Sequence, residues 1–146
     1  MAFRGQYEHS LDAKDRVTIP ARWRGALADG VVLFADLDPC VSIFPPRAYE
    51  RMSDRYLASL SPFSRDARMM RRRFHASSSD EALDSAGRVR IPRQLVERAG
   101  LGGTCVVVGV DDHIEVWSPE RWAAEQSEID DQTERMAREL ASGGTG

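Results

Sequence analysis

The chain states one string twice. "LDAKDRVTIPARWR", Leu11 to Arg24, and "LDSAGRVRIPRQLV", Leu83 to Val96, align without a gap, with Leu, Asp, Arg, Val, Ile and Pro in the same order. The offset, Asp12 to Asp84, is 72 residues in a chain of 146. A unit of roughly 70 residues buries little surface and is marginal alone. The repeat therefore constrains the fold more than any other feature, because two small halves must complete one core between them.

The rest of each copy follows one grammar. "QYEHSL" alternates and reads as a strand leading to the Asp12 loop. "RVTI" is a β-branched strand with Val17 and Ile19 on one face and Arg16 and Thr18 on the other. Pro20 opens a helix over "ARWRGAL", Gly30 ends it, "VVLFA" and "CVSIF" are strands, and Pro45-Pro46 opens a helix over "RAYERMSDRYLASL". In the second copy "RVRI" is the strand, Pro92 opens "RQLVERA", and Gly100 stands where a helix C-terminal glycine belongs. "TCVVVGV" and "IEVW" are strands, and Ser118-Pro119 is an N-cap and first helical position. Phe44, Pro46 and Tyr49 match Trp117, Pro119 and Trp122 at an offset of 73, one residue having been inserted between the motif and the later strands.

Between the copies, Arg65, Arg68 and Arg72 fall at helical spacing, with Met69, Met70 and Phe74 as the apolar side. "SSSDEA" reads as a loop. Pro119 to Leu140 is an acidic, helix-friendly stretch, and "SGGTG" is a frayed tail. Trp23, Trp117, Trp122 and Phe44 read as core or interface anchors, since three of them sit at matched places in the repeat.

Charge bears on the choice of partner. The net of −3 weighs mildly against nucleic acid, but residues 1–75 hold 13 Lys/Arg against 9 Asp/Glu and leave that option open. Residues 120–146 hold 3 against 7. Met1 to Ser10 has no apolar signal core, and the longest apolar runs are too short to span a bilayer, so the expectation is a cytoplasmic protein. Cys40 and Cys105 read as reduced, buried thiols. His9, His75 and His113 form no spaced constellation and read as structural or surface residues, so no metal site is expected. No Gly-rich phosphate loop or recognisable nucleophile appears, and the expectation is a non-enzyme without cofactor or small-molecule substrate.

The doubled Asp-x-x-x-Arg motif supports two readings. An arginine fork can donate two hydrogen bonds to guanine in the major groove, and a carboxylate four residues back can set the loop that aims it. Alternatively each Asp–Arg pair is an internal salt bridge capping a hairpin, and duplication does not separate the two, because a repeated fold needs its hairpin fixed twice. The run Arg71–Arg73, with Arg65 and Arg68, suits phosphates, a solvated helix face or a subunit contact. Arg4, Arg22 and Arg24 are weaker candidates, open to a contact role or a plain surface one. Two matched aspartates also raise the idea of an aspartic-protease dyad, but Asp12 precedes Ala-Lys and Asp84 precedes Ser-Ala, not Thr/Ser-Gly.

"FRGQYEHSLDAKDRVTIPARWR", the later "GRVRIP" and the "HAS" at 75–77 resemble the MraZ family of bacterial transcriptional regulators, from Phe3 to about Trp122. The resemblance implies an α+β, mainly β fold: a duplicated swapped-hairpin, AbrB-like barrel with flanking helices. Residues 1–74 would form the first repeat plus linking helices. Residues 75–146 would form the second repeat plus the acidic C-terminal helix, the halves intertwined. It also implies a homo-oligomer, a ring, binding double-stranded DNA at short direct repeats upstream of a cell-division and cell-wall gene cluster that includes its own promoter, with nucleoid association. On this reading Lys14, Arg16, Thr18, Arg88 and Arg90 contact DNA, and Asp12 and Asp84 orient the loops. Lys14 has no counterpart, since position 86 is Ala, so the second copy either binds more weakly or serves mainly in assembly. Asp15 departs from the family's usual glycine, which the second motif keeps as Gly87. An AbrB-like antidote or protein-interaction module is the alternative function, the acidic tail fitting it loosely.

Overall fold

Strand pairing crosses between the copies, which is how two halves share one core. The computed structural model describes residues 2–143. The first copy supplies β1 (Gln6–Ser10), β2 (Arg16–Thr18), β3 (Val31–Ala35), β4 (Val41–Phe44) and helix α1 (Pro46–Met52). Helix α2 (Arg65–Ser77) links to the second copy, with β5 (Ser79–Glu81), β6 (Arg88–Arg90), α3 (Arg93–Ala99), β7 (Thr104–Gly109), β8 (Ile114–Trp117) and α4 (Pro119–Gly143). Six strands form an antiparallel sheet in the order β1-β7-β8-β4-β3-β5, and β2 pairs with β6 alone as a two-stranded ribbon. Exchanging each strand for its repeat partner reverses that order onto itself. Thus β1 lies on the second copy's hairpin, β5 lies on the first copy's, and the fold is α+β with swapped edges.

The inner sheet face carries Leu33, Ile43, Cys105, Val107, Ile114 and Val116. Val17, Ile19, Val89 and Ile91 from the ribbon and Leu95, Val96 and Ala99 from α3 close over it. Burying each large apolar side chain contributes about 1.5–3 kcal/mol, so interlocking gives each half a core it could not build alone. Trp23 sits in this core, edge-on to Phe3 and Tyr7 at 5.8 and 5.2 Å between ring centroids. On the outer face, Phe34 and Phe44 pack under α1 and α2, while Cys40, Val108 and Trp117 pack beside Trp122 of α4. Phe44, Trp23 and Trp117 are therefore core residues, and Trp122 is half-buried.

Several elements differ from the sequence expectation. "SSSDEA" contains β5, paired from Val31↔Glu81 to Leu33↔Ser79. Its serines and carboxylates suit an edge strand with one side in water, and they hide the strand from propensity. "ARWRGAL" forms two 3-10 turns, Ala21–Trp23 and Gly25–Leu27, where the second copy has an α-helix; Gly25 interrupts propagation. Past Met52 the chain widens into a π turn over Ser53–Leu57. On α2, Ala67 rather than Met69 joins Phe74 on the buried side, and Met69 is 50% exposed. Ser142 and Gly143 continue α4, while the rest of the "SGGTG" tail, residues 144–146, lies outside the described residues.

Gly100 takes the left-handed φ of +66° that ends α3, as expected of a C-terminal glycine. Cys40 and Cys105 are free and buried, and burial pushes the Cys105 thiol up to about 11. No described helix is long and apolar enough to cross a membrane.

Candidate nucleic-acid interface

Both motif loops close by the same bonds. In the first, Asp12 Oδ1 accepts from the backbone N–H of Lys14 and of Arg16, each at 2.9 Å, and Asp12 Oδ2 accepts from Arg16 Nε at 2.8 Å. In the second, Asp84 Oδ1 accepts from the N–H of Ala86 at 3.0 Å and of Arg88 at 2.9 Å, and Oδ2 accepts from Arg88 Nε at 2.8 Å. A carboxylate satisfying two backbone donors and one guanidinium fixes the turn and the arginine together. The backbone N–H of Arg16 and Arg88 are the leading causes that hold the Asp12 and Asp84 carboxyls below their ordinary value of 3.8. A protease dyad shares one proton between two adjacent carboxyls, whereas Asp12 and Asp84 each bond only within their own loop and not to one another.

The ion pairs leave the arginines only partly engaged. Each spends Nε on its aspartate, and neither set of Nη groups makes a hydrogen bond among the described residues. The salt-bridge and DNA-contact readings are thus compatible in geometry: one edge of the fork is anchored, the other is open.

Folding then brings the two motifs side by side. In the β2–β6 ribbon Arg16 lies opposite Arg90, and Thr18 lies opposite Arg88, while Val17 and Val89 pair between them and point into the core. Strand alternation puts Arg16, Thr18, Arg88 and Arg90 on the single outward face. Lys14 is exposed at the tip of the first loop. Reciprocal bonds lock the loops to one another, Ile19 N–H to the Gly87 carbonyl at 2.9 Å and Ile91 N–H to the Asp15 carbonyl at 2.8 Å. Like charges directly opposite in a ribbon are unfavourable. Arg16 facing Arg90 is an arrangement that gains by meeting an anion, and a two-stranded ribbon fits the major groove of B-DNA.

Two residues that sequence reading left aside complete the loops. Arg24, open on sequence to a contact or a surface role, donates from Nε to the Ile19 carbonyl at 2.9 Å and lies over Gly87, where an added Cβ would stand 2.2 Å from Arg24 Nε. Arg93, first residue of α3, reaches across the copies to Asp15 Oδ1 at 3.2 Å. Asp15 itself takes a left-handed φ of +59°, close to the +78° of Gly87. Only the departure of Asp15 from glycine signalled that this position was special.

Other candidates resolve differently. Arg71 donates to the carbonyls of Leu57, Ala58 and Leu60, and Arg73 to that of Asp36, so both tie α2 to the fold. The "HAS" segment docks α2: His75 Nδ1 meets Tyr49 Oη at 2.8 Å, and the Ala35 N–H donates to Ser77 Oγ at 3.0 Å. Arg22 donates to Tyr7 Oη at 2.8 Å. The absence of a spaced His constellation concealed a folded one, in which Asp36, His113 and Glu115 converge with one ligand atom each inside 4.8 Å.

The comparison with protein families matches the MraZ protein family, described as antitoxin-like, over residues 2–73 and again over 76–141. Among curated relatives, "Transcriptional regulator MraZ" of Roseiflexus castenholzii is 40% identical over 139 residues, 95% of this chain and 96% of that protein. The same-named protein of Limosilactobacillus fermentum is 38% identical over 124 residues, 85% of this chain and 86% of its own. That of Symbiobacterium thermophilum is 35% identical over 136 residues, 93% and 98%.

Proposed function

The chain belongs to the MraZ family, and we propose that it is a DNA-binding transcriptional regulator, not an enzyme, that reads base edges with the outward face of the β2–β6 ribbon. The observation that carries this is the face itself, with Arg16, Arg88 and Arg90 beside Thr18 and Arg16 directly opposite Arg90. Arg16 and Arg88 donate their open Nη edges to bases, Lys14 and Arg90 add phosphate or base contacts, and Asp12 and Asp84 hold the loops in shape. Each well-placed bidentate arginine contributes about 1–3 kcal/mol of discrimination.

The targets are short direct repeats upstream of a cell-division and cell-wall gene cluster, the protein's own promoter among them, and the protein acts in the cytoplasm at the nucleoid. An acidic chain binds DNA by multiplying contacts. Protomers joined in a ring each present one ribbon, repeats about 10 bp apart face one side of the duplex, and avidity adds roughly 10²–10⁴ over a single site. Helix α4 supports assembly: none of its residues is buried in the single chain, and Trp122, Ile129, Met136 and Leu140 recur along it at spacings compatible with one face.

Gel-shift titration of the DNA upstream of the gene tests this. Arg16→Ala should weaken specific binding by roughly 5–150-fold for each ribbon engaged while light scattering shows the assembly intact, and two or more boxes should bind far more tightly than one. Equal affinity for one box and several, or disassembly of the variant, overturns it. The antitoxin-like description and the acidic α4, with 7 acidic and 3 basic residues from Glu120 onward, favour a second reading as an antidote. Copurification of a small basic protein with no promoter binding would establish that one instead.

A further inference from the structure

The centre of the outer sheet face breaks the apolar pattern around it. Phe34, Phe44, Val108 and Trp117 are all buried there, yet Ser42 of β4 faces Glu115 of β8 in direct register, and Ser42 is fully buried. Asp36 approaches from the end of β3, its Oδ2 accepting from the Ser42 hydroxyl at 2.7 Å and its Oδ1 from the Leu37 N–H at 2.7 Å. Glu115 Oε1 accepts from Trp117 Nε1 at 3.0 Å, which leaves Oε2 turned to His113 Nε2, also at 3.0 Å. The His113 ring lies flat on Phe44, 4.4 Å between centroids and 4° between planes, and its Nδ1 meets Asp112 Oδ1 at 2.7 Å. Three carboxylates thus surround one imidazole. No Lys or Arg forms an ion pair with any of them among the described residues.

We propose that Asp36, His113 and Glu115 form a binding site for one divalent transition-metal ion, Zn²⁺ by preference. Their ligand atoms already lie within 4.8 Å of one another. The donor set of one imidazole and two carboxylates, with a fourth position for water, suits a borderline ion such as Zn²⁺. It suits Mg²⁺ and Ca²⁺ poorly, since both prefer oxygen alone. The surroundings are those of a ligand shell. Asp112 receives the distal Nδ1–H of His113, as carboxylates do for metal-bound histidines, while Trp117 and Ser42 each occupy one side of a ligating carboxylate. The ion takes the place of the proton between His113 Nε2 and Glu115 Oε2, which leaves to solvent. Asp36 belongs to the first copy and His113 and Glu115 to the second, so a bound ion clamps the β3–β4 loop to the β7–β8 hairpin and braces the interlocked halves.

The test is equilibrium dialysis and thermal melting of the full chain with Zn²⁺, with Mg²⁺ as the comparison ion. One Zn²⁺ per chain and a raised Tm are expected, with no response to Mg²⁺. His113→Gln and Asp36→Asn should lose the ion. Asp112→Asn should keep the one-to-one stoichiometry with affinity lowered by about 10–100-fold. Cys40→Ala and His75→Gln should match the unchanged protein, which excludes thiol or stray histidine binding. Circular dichroism checks folding, and if His113→Gln does not fold, Asp36→Asn and Asp112→Asn decide the matter. No bound Zn²⁺ in the unchanged protein, or full affinity in those variants, means that His113 is an ion-paired structural residue and the proposal is wrong.

Discussion

The two motif loops share a skeleton and differ in what stands over it. Asp12 and Asp84 make the same three bonds, to within 0.1 Å. Around that constant, four matched positions diverge. Lys14 is matched by Ala86, Asp15 by Gly87, and Arg24, which covers Gly87, is matched by buried Val96. Arg93, which reaches Asp15, is matched by Ala21. Each loop is therefore roofed by an arginine from the first copy or braced by one from the second, never both. The glycine is kept where the roof is low. The lesson is that a repeat conserves the hydrogen bonds that make its turn and lets the packing above the turn drift apart.

The loops differ most in what they tolerate at Gly87. Gly87→Ala places a Cβ at a φ of +78° and 2.2 Å from Arg24 Nε. Left-handed backbone costs about 1–2 kcal/mol, and displacing Arg24 from the Ile19 carbonyl adds about 1 kcal/mol more. A loss of about 2–3 kcal/mol in urea unfolding is expected, against about 1 kcal/mol or less for Asp15→Ala, where a side chain is already housed. Adding Arg24→Ala to Gly87→Ala should recover the steric part. Equal losses at 15 and 87 would show that the roof does not matter.

The loops differ next in what they can offer DNA. Arg16→Ala and Arg88→Ala remove equivalent forks, each worth about 1–3 kcal/mol, or roughly 5–150-fold in specific affinity. If the second loop reads DNA, the two variants weaken binding alike; if it only assembles the ribbon, Arg88→Ala changes affinity little and stability more. Lys14→Ala should lower the salt slope by about 1, and Ala86→Lys should raise it by about as much. Gel shifts across a salt series measure both.

How much of this was legible beforehand depended on whether the information was local. The turn chemistry of Asp12 and Asp84, the face alternation of Arg16 and Thr18, and the ending of α3 at Gly100 are properties of a few adjacent residues. β5 was not legible because "SDE" has no strand propensity and exists as a strand only because β3 offers it an edge. Arg24 over Gly87, Arg93 on Asp15 and His113 between Asp112 and Glu115 also escaped. The first two contacts join residues 63 and 78 positions apart, and the third lies in a short turn whose partner Asp36 comes from the other copy. No spacing rule reaches across a swapped sheet. The ribbon itself, which makes one surface of two motifs, likewise follows from topology rather than from either string.

A smaller effect common to both loops lies at acid pH. The Asp12 and Asp84 carboxyls are lowered from 3.8 by the backbone donors of Arg16 and Arg88, so their ionised forms favour the folded loops. Depressed folded values mean that this contribution is complete above the ordinary carboxylate range and is lost as pH falls through the lowered values. Backbone amide signals of Lys14, Arg16, Ala86 and Arg88 should therefore hold steady down to about pH 4 and then shift together. Asp12→Asn should uncouple only the first pair; a joint collapse near neutrality would contradict this account.

The smallest effect isolates the residue that sets the loops apart. Asp15 does not hold Arg16, since the Arg16 backbone N–H and Nε both donate to Asp12, and the Asp15 carboxylate is spent instead on Arg93. That pair is an exposed one on the Arg93 side, so it is worth at most about 1 kcal/mol. Asp15→Gly exchanges a tolerated left-handed aspartate for the residue best suited to φ of +59°, leaving stability within about 1 kcal/mol. It also removes a negative charge beside Lys14 and Arg16, so DNA affinity should rise by a small factor at low salt and converge with the unchanged protein as salt screens the field. Arg93→Ala should do the opposite, unmasking that charge and weakening binding, and in the Asp15→Gly background it should lose most of its effect. A looser complex in Asp15→Gly would mean that the aspartate helps to aim Arg16 after all.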